Sequence, residues 1–228
     1  MSDSCSPSGC HANFPPVQPT KTAVNAELAD YWDTLYSILP TFKLEWYEDD
    51  YADSLKLIEE CKLDKDAHLL FAGCGSTGLI TELIIRGYNK ISAVDISQVA
   101  LDVLKDELGD KIDQVNIIKA DFTNEDILSK IPEVDLWFDR MLLHHFVEMK
   151  DQKTYLNTIA KNLSSIGKTI VIENSLRGNN RSAGLPVKQL SSLKLKAMFP
   201  KMELTSHFEK EYYTPNGKKN YLIYCLFG

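Results

Sequence analysis

The run Gly73-Cys74-Gly75-Ser76-Thr77-Gly78 satisfies G-x-G-x-x-G and lies between an apolar stretch and a helical one. Glycine in such a loop permits a sharp turn and lets the backbone approach a ligand that a β-carbon would hold off. Asp95 and its neighbour Ile96 end the next apolar stretch. A carboxylate there can accept both hydroxyls of a ribose. Asp121 and Phe122 end the third stretch, where an acid can take an adenine amino group and an aromatic face can cover the ring. After the fourth come Asp139, Arg140 and His144. These are a carboxylate, a fixed cation and a base with an unperturbed pKa near neutrality.

These residues need a scaffold that brings strand ends together. Short buried strands are expected at His68–Ala72, Ile91–Val94, Val115–Lys119, Val134–Phe138 and Thr169–Ile172. Helical patterns separate them at Leu79–Arg86, Gln98–Leu108 and about Gln152–Leu163. Such alternation implies an α/β fold, a Rossmann-like doubly wound sheet that is mostly parallel. Its ligands would sit at the strand C-termini. Met202–Phe208 and Tyr221–Phe227 alternate around Thr214-Pro215-Asn216-Gly217, predicting a closing C-terminal antiparallel hairpin. Ahead of the core, Ala23–Leu39 and Asp50–Cys61 read as an N-terminal helical flank. The organisation expected is a flexible tail over 1–22, a cap over 23–64 and the core over 65–228.

The glycine loop and Asp95 suit NAD and S-adenosylmethionine equally. Three features favour the methyl donor. Asp121-Phe122 supplies an adenine reader, a helical flank precedes the loop, and the chain is too short for a separate substrate domain. Local alternatives stand beside this reading. Asp95 could cap the helix that follows it, Asp121 could be a solvated strand end, and any one glycine could be a plain turn.

The chain has 228 residues, a formal charge of −7 and no long Lys/Arg cluster, which disfavours a nucleic-acid partner. No apolar run approaches a membrane span and no signal peptide is evident, so a cytoplasmic location is expected. Five cysteines are scattered without a disulfide pattern. Cys5, Cys10 and His11 could capture a soft metal, but a Ser-, Pro- and Gly-rich segment reads better as a tail, and no metal site is expected.

From Tyr31 the chain reads YWDTLYSILPTFKLEWY, and from Phe71 FAGCGSTGLITELIIRGYNKISAVDIS. Both resemble the class I methyltransferases that include thiopurine-methyltransferase-like proteins and the lysine methyltransferases of elongation factors. FDRMLLHHF, AGLPV and YTPNGKKNYLIYCLF resemble a bacterial branch of that family. Phe71 stands where many relatives carry an acid, and Phe138 replaces a histidine of the branch. The resemblance implies S-adenosyl-L-methionine as cofactor. It is held by Gly73, Cys74, Gly75, Asp95, Ile96, Asp121, Phe122 and Asp139, with Trp32 and Trp46 folded over it.

On the acceptor side, Asp139, Arg140 and His144 are the candidate catalytic residues. His144 is either the base or a structural histidine, Arg140 either clamps an anion or pairs with Asp139, and His145 reads as incidental. Trp46 reads as a lid contact, whereas Trp32 also fits a core stripe. The leading expectation is methyl transfer to a small-molecule thiol or amine. The alternative, a protein lysine methyltransferase, is weakened because Asp139-Arg140-Met141-Leu142 replaces that branch's D-K-G-T-like run.

Overall fold

A computed structural model describes residues 24–124 and 130–228. The tail with Cys5, Cys10 and His11 lies outside these residues. The cap comprises α1 (Val24–Ile38) and α2 (Ala52–Glu60). The core alternates β1 (His68–Ala72), α3 (Leu79–Ile85), β2 (Lys90–Asp95), α4 (Gln98–Leu108), β3 (Val115–Lys119), β4 (Val134–Arg140), α5 (Met149–Asn162) and β5 (Leu163–Asn174). Then come the two-residue strands β6 (Arg181–Ser182) and β7 (Leu185–Pro186), α6 (Ser192–Met198), β8 (Leu204–Tyr213) and β9 (Lys219–Phe227).

The main sheet has seven strands in the order β3-β2-β1-β4-β5-β9-β8. The first five are parallel, while β9 pairs antiparallel with both β5 and β8. The chain order reverses at β1, opening a crevice between the β1 and β4 ends where ligands bind in such sheets.

The period of two along each strand sorts the core into two layers. Leu69, Phe71, Leu136 and Phe138 face α2 and α3, packing on Leu57, Ile58, Leu79, Ile80 and Leu83. Leu70, Ala72, Trp137 and Val171 face the other way, onto Tyr155 and Ile159 of α5 and Leu195 of α6. Each fully buried Leu or Ile contributes about 1.5–3 kcal/mol over an exposed one.

The cap is fastened to the core by polar contacts as well as by packing. Leu35, Tyr36 and Leu44 pack with Ala100 and Ala183. The Asp33 carboxylate accepts from Ser97 Oγ at 2.6 Å and from Val99 N at 3.1 Å, tying α1 to the start of α4.

Three features differ from the sequence reading. β5 begins at Leu163, several residues before Thr169, and its pairing with β4 shifts register between Val134 and Leu136. Its polar first residues carry no alternating signal. The seven-residue α6 also shows too little periodicity to be read. The β6–β7 hairpin turns through Ala183 (φ 50°) and Gly184 (φ 76°). A non-glycine residue at positive φ conceals such a turn from the sequence.

Candidate active site

The site is built from the ends of adjacent parallel strands. After β1, Gly73 and Gly75 take φ of 59° and 53°, a region that favours glycine. A β-carbon on Gly75 would run into the Tyr36 hydroxyl, because the cap lies directly on the loop. At the end of β2, Asp95 Oδ2 accepts from Gly75 N at 2.8 Å and Oδ1 from Ser97 N at 2.9 Å. The α4 cap is the Ser97 hydroxyl, which accepts from Ala100 N. Asp95 therefore braces the glycine loop rather than capping the helix. Burial raises its pKa, and the amides of Ser97, Gly75 and Ile96 oppose that rise.

At the end of β3, Asp121 Oδ1 accepts from Thr123 N and Thr123 Oγ1, each at 2.8 Å. Its Oδ2 is buried with no hydrogen-bond partner among the described residues. Phe122 packs edge-on against Trp137 and Tyr155. Asp95, Ile96, Asp121, Phe122, Trp32, Trp46 and Gly73 all line one cavity, which holds about 970 Å³ of space including its mouth.

A second cavity, with about 810 Å³ of space including its mouth, borders the same loop. It is walled by Trp46, Tyr47, Glu48, Tyr51, Glu107 and Arg140, among others. Trp46, Gly73 and Arg140 line both cavities, so the two meet there. Cys74, expected on the cofactor wall, lines this second cavity instead. Burial raises its thiol pKa well above the ordinary value.

The residues at the end of β4 and just after it divide differently from expectation. Asp139 is fully buried and lines neither cavity. Its Oδ2 accepts from the Tyr155 hydroxyl at 2.6 Å and its Oδ1 from Leu142 N at 3.1 Å. Burial, and then the neighbouring Glu173, push its pKa well above the ordinary carboxylate range. It holds the turn from beneath, set back from both cavities, where cofactor or substrate contact was expected.

His144 is fully buried too and lines neither cavity. Burial lowers its pKa to about 3. A base must reach the proton that it abstracts, and His144 reaches neither cavity. Its neighbour His145, read as incidental, lines the first cavity and meets the Trp32 ring edge-on at 5.2 Å. Only the path of the turn distinguishes two adjacent histidines.

Arg140 does not pair with Asp139, because successive strand residues point to opposite faces. Its Nη1 donates to the Trp46 carbonyl at 2.6 Å, and its Nε lies 3.4 Å from Glu48 Oε2. Glu48 Oε1 also accepts from Ser54 Oγ at 2.9 Å. Glu48 and Tyr51 carried no functional signal in the sequence, since their place on the cavity wall depends on how the cap packs against the glycine loop.

Residues 69–167 match the family model described as a methyltransferase domain. The chain is similar to methyltransferase domains over this stretch and has a Rossmann-like methyltransferase fold. It is 24% identical over 144 residues to the mouse (Mus musculus) eEF1A lysine and N-terminal methyltransferase, a match spanning 63% of this chain and 20% of that protein. The chain thus spans about a fifth of the length of the curated relatives it matches.

Two solved structures share the fold of the methyltransferase domain. A SAM-dependent methyltransferase from Anabaena variabilis superposes with a TM-score of 0.71 at 15% identity, covering 94% of this chain and 98% of that one. The Burkholderia thailandensis 1,6-didemethyltoxoflavin-N1-methyltransferase, with 1,6-didemethyltoxoflavin and S-adenosylhomocysteine bound, superposes with a TM-score of 0.63 at 15% identity, covering 98% of each chain. Among the described residues, no helix is long and apolar enough to cross a membrane, and no group of three His, Cys, Asp or Glu is arranged to hold a metal.

Proposed function

We propose that the protein transfers a methyl group from S-adenosylmethionine to a small-molecule nucleophile, a thiol or an amine. The observation that supports the donor in this reading is the Asp121 carboxylate oxygen, buried at a cavity wall without a partner. A buried acceptor left unpaired is costly, and an adenine amino group would relieve it. Asp95 offers its carboxylate to a ribose, Phe122 covers the base, and Gly73, which lines the cavity, admits the methionine portion. Gly75 lies under Tyr36 and lines neither cavity. Trp32 and Trp46 close the cavity with aromatic faces, which attract a cationic sulfonium.

When bound, S-adenosylmethionine supplies an electrophilic methyl group. The chain's own work is alignment and exclusion of water. The cap does this through Trp46, whose carbonyl Arg140 holds at the junction of the two cavities.

Calorimetry with S-adenosylmethionine and NAD tests the donor. Micromolar binding of the first and none of the second is expected, and the reverse overturns the assignment. A protein lysine substrate is the second reading, favoured by the name of the curated relatives. Radiolabelled methyl transfer into cell extract separates the two. Label in the small-molecule fraction supports the first, and label concentrated in one protein band supports the second.

A further inference from the structure

The second cavity is distinguished by the chemistry of its walls. Trp46, Tyr47 and Tyr51 present aromatic surface. Glu48 and Glu107 add two carboxylates against the single cation Arg140. Asp50 and Asp53 stand near Glu48 and add to its negative surroundings. Aromatic faces and excess carboxylate favour a cation and repel a thiolate. The cavity meets the donor cavity at Trp46, Gly73 and Arg140, where an acceptor atom would face the methyl group.

Resting on the donor reading above, we propose that this cavity is the acceptor chamber, that its substrate is a small cationic amine rather than a thiol, and that Glu48 takes the proton the amine must lose. Glu48 has the position for this. It is a largely buried carboxylate on the chamber wall, fixed by Ser54 and Arg140.

An ammonium ion has no lone pair, so its proton first passes to a Glu48 oxygen. The nitrogen lone pair then forms the C–N bond as the C–S bond breaks, its electron pair remaining on sulfur. The proton later leaves Glu48 for solvent. Groups facing Glu48 are Arg140 of β4, Ser54, Asp50, Asp53 and Tyr51 of the cap, Tyr212 of β8 and Tyr224 of β9. Asp53 is in turn paired with Lys210.

The test uses the full chain saturated with S-adenosylhomocysteine and two matched probes, phenethylamine and 2-phenylethanethiol. Calorimetry should show binding of the amine and none of the thiol. With labelled S-adenosylmethionine, label should enter the amine. Thiol binding or labelling without the amine overturns the proposal, as does failure of both probes while S-adenosylmethionine still binds. Failure to bind S-adenosylmethionine overturns the donor reading instead.

Glu48→Gln should lower turnover of the amine about 100-fold with cofactor affinity retained. Its rate should then climb with pH up to the amine's own pKa. An unchanged pH profile in a folded Glu48→Gln protein removes Glu48 from the proton step. If that variant does not fold, Glu48→Asp replaces it, and the wild-type preference between the probes still decides the substrate class.

Discussion

His144 Nδ1 lies 2.5 Å from Glu173 Oε2, and neither side chain has exposed surface. The pair is close without the alignment of a straight hydrogen bond. Burial raises Glu173 to about 8 and lowers His144 to about 3, so both are neutral near pH 6. The Leu142 and Leu143 amides donate to Asp139 Oδ1, so Asp139 anchors the turn that carries His145 into the first cavity, with Glu173 beside it.

The pair predicts a pH dependence of stability. Glu173 holds its proton in the folded state while the unfolded chain loses it from about 4.5, so its contribution falls as pH rises toward about 8. His144 stays neutral when folded while the unfolded chain binds a proton below 6.5, so its contribution falls as pH drops toward about 3. The two slopes oppose each other between 4.5 and 6.5, leaving a plateau there and a decline from 6.5 to about 8. Denaturant titration across pH should show this decline, to which the raised Asp139 adds, and Glu173→Gln should reduce it.

Because His144 supports the turn without reaching a cavity, His144→Gln should cost about 1–3 kcal/mol of stability. Cofactor affinity should change little, and the pH profile of turnover should keep its shape. A lost limb in that profile would return His144 to proton transfer.

Asp121→Asn tests the adenine contact with little disturbance to the fold, because the partnerless oxygen is the atom altered or displaced. S-adenosylmethionine binding should weaken by about 1.5–3 kcal/mol. Asp95→Ala should weaken binding similarly and also lower the melting temperature, since Gly75 N and Ser97 N lose their acceptor. Equal melting temperatures for the two variants would contradict the bracing role.

Gly75→Ala combines a positive φ with a clash against the Tyr36 hydroxyl. It should cost about 1–3 kcal/mol from backbone strain alone. Tyr36→Phe in the same chain should recover part of the loss by relieving the clash. Thermal unfolding of the single and double variants reads both effects.

The β6–β7 hairpin is latched to the cap. The Tyr31 hydroxyl donates to the Ala183 carbonyl, and Ala183 N donates to Glu45 Oε2 at 2.9 Å. Leu185 of this hairpin lines the first cavity. Tyr31→Phe with Glu45→Gln should speed amide exchange in the hairpin and hasten cofactor release. Unchanged exchange would show that packing alone holds the hairpin.

The sequence by itself determined the parallel core, the glycine loop and the acids at the ends of β2 and β3. Those features are local: glycine sets the turn, the period of two sets the strand, and a strand end places the acid that follows it. Only the tertiary structure decided which of His144 and His145 meets the cavity, through a turn that enters at Met141 with φ 64° and is held from below by Asp139. It also decided that Arg140 turns to Trp46 and Glu48, residues more than ninety positions away. A side chain's partner depends on which elements the fold brings together, and spacing along the chain carries no information about contacts at that separation.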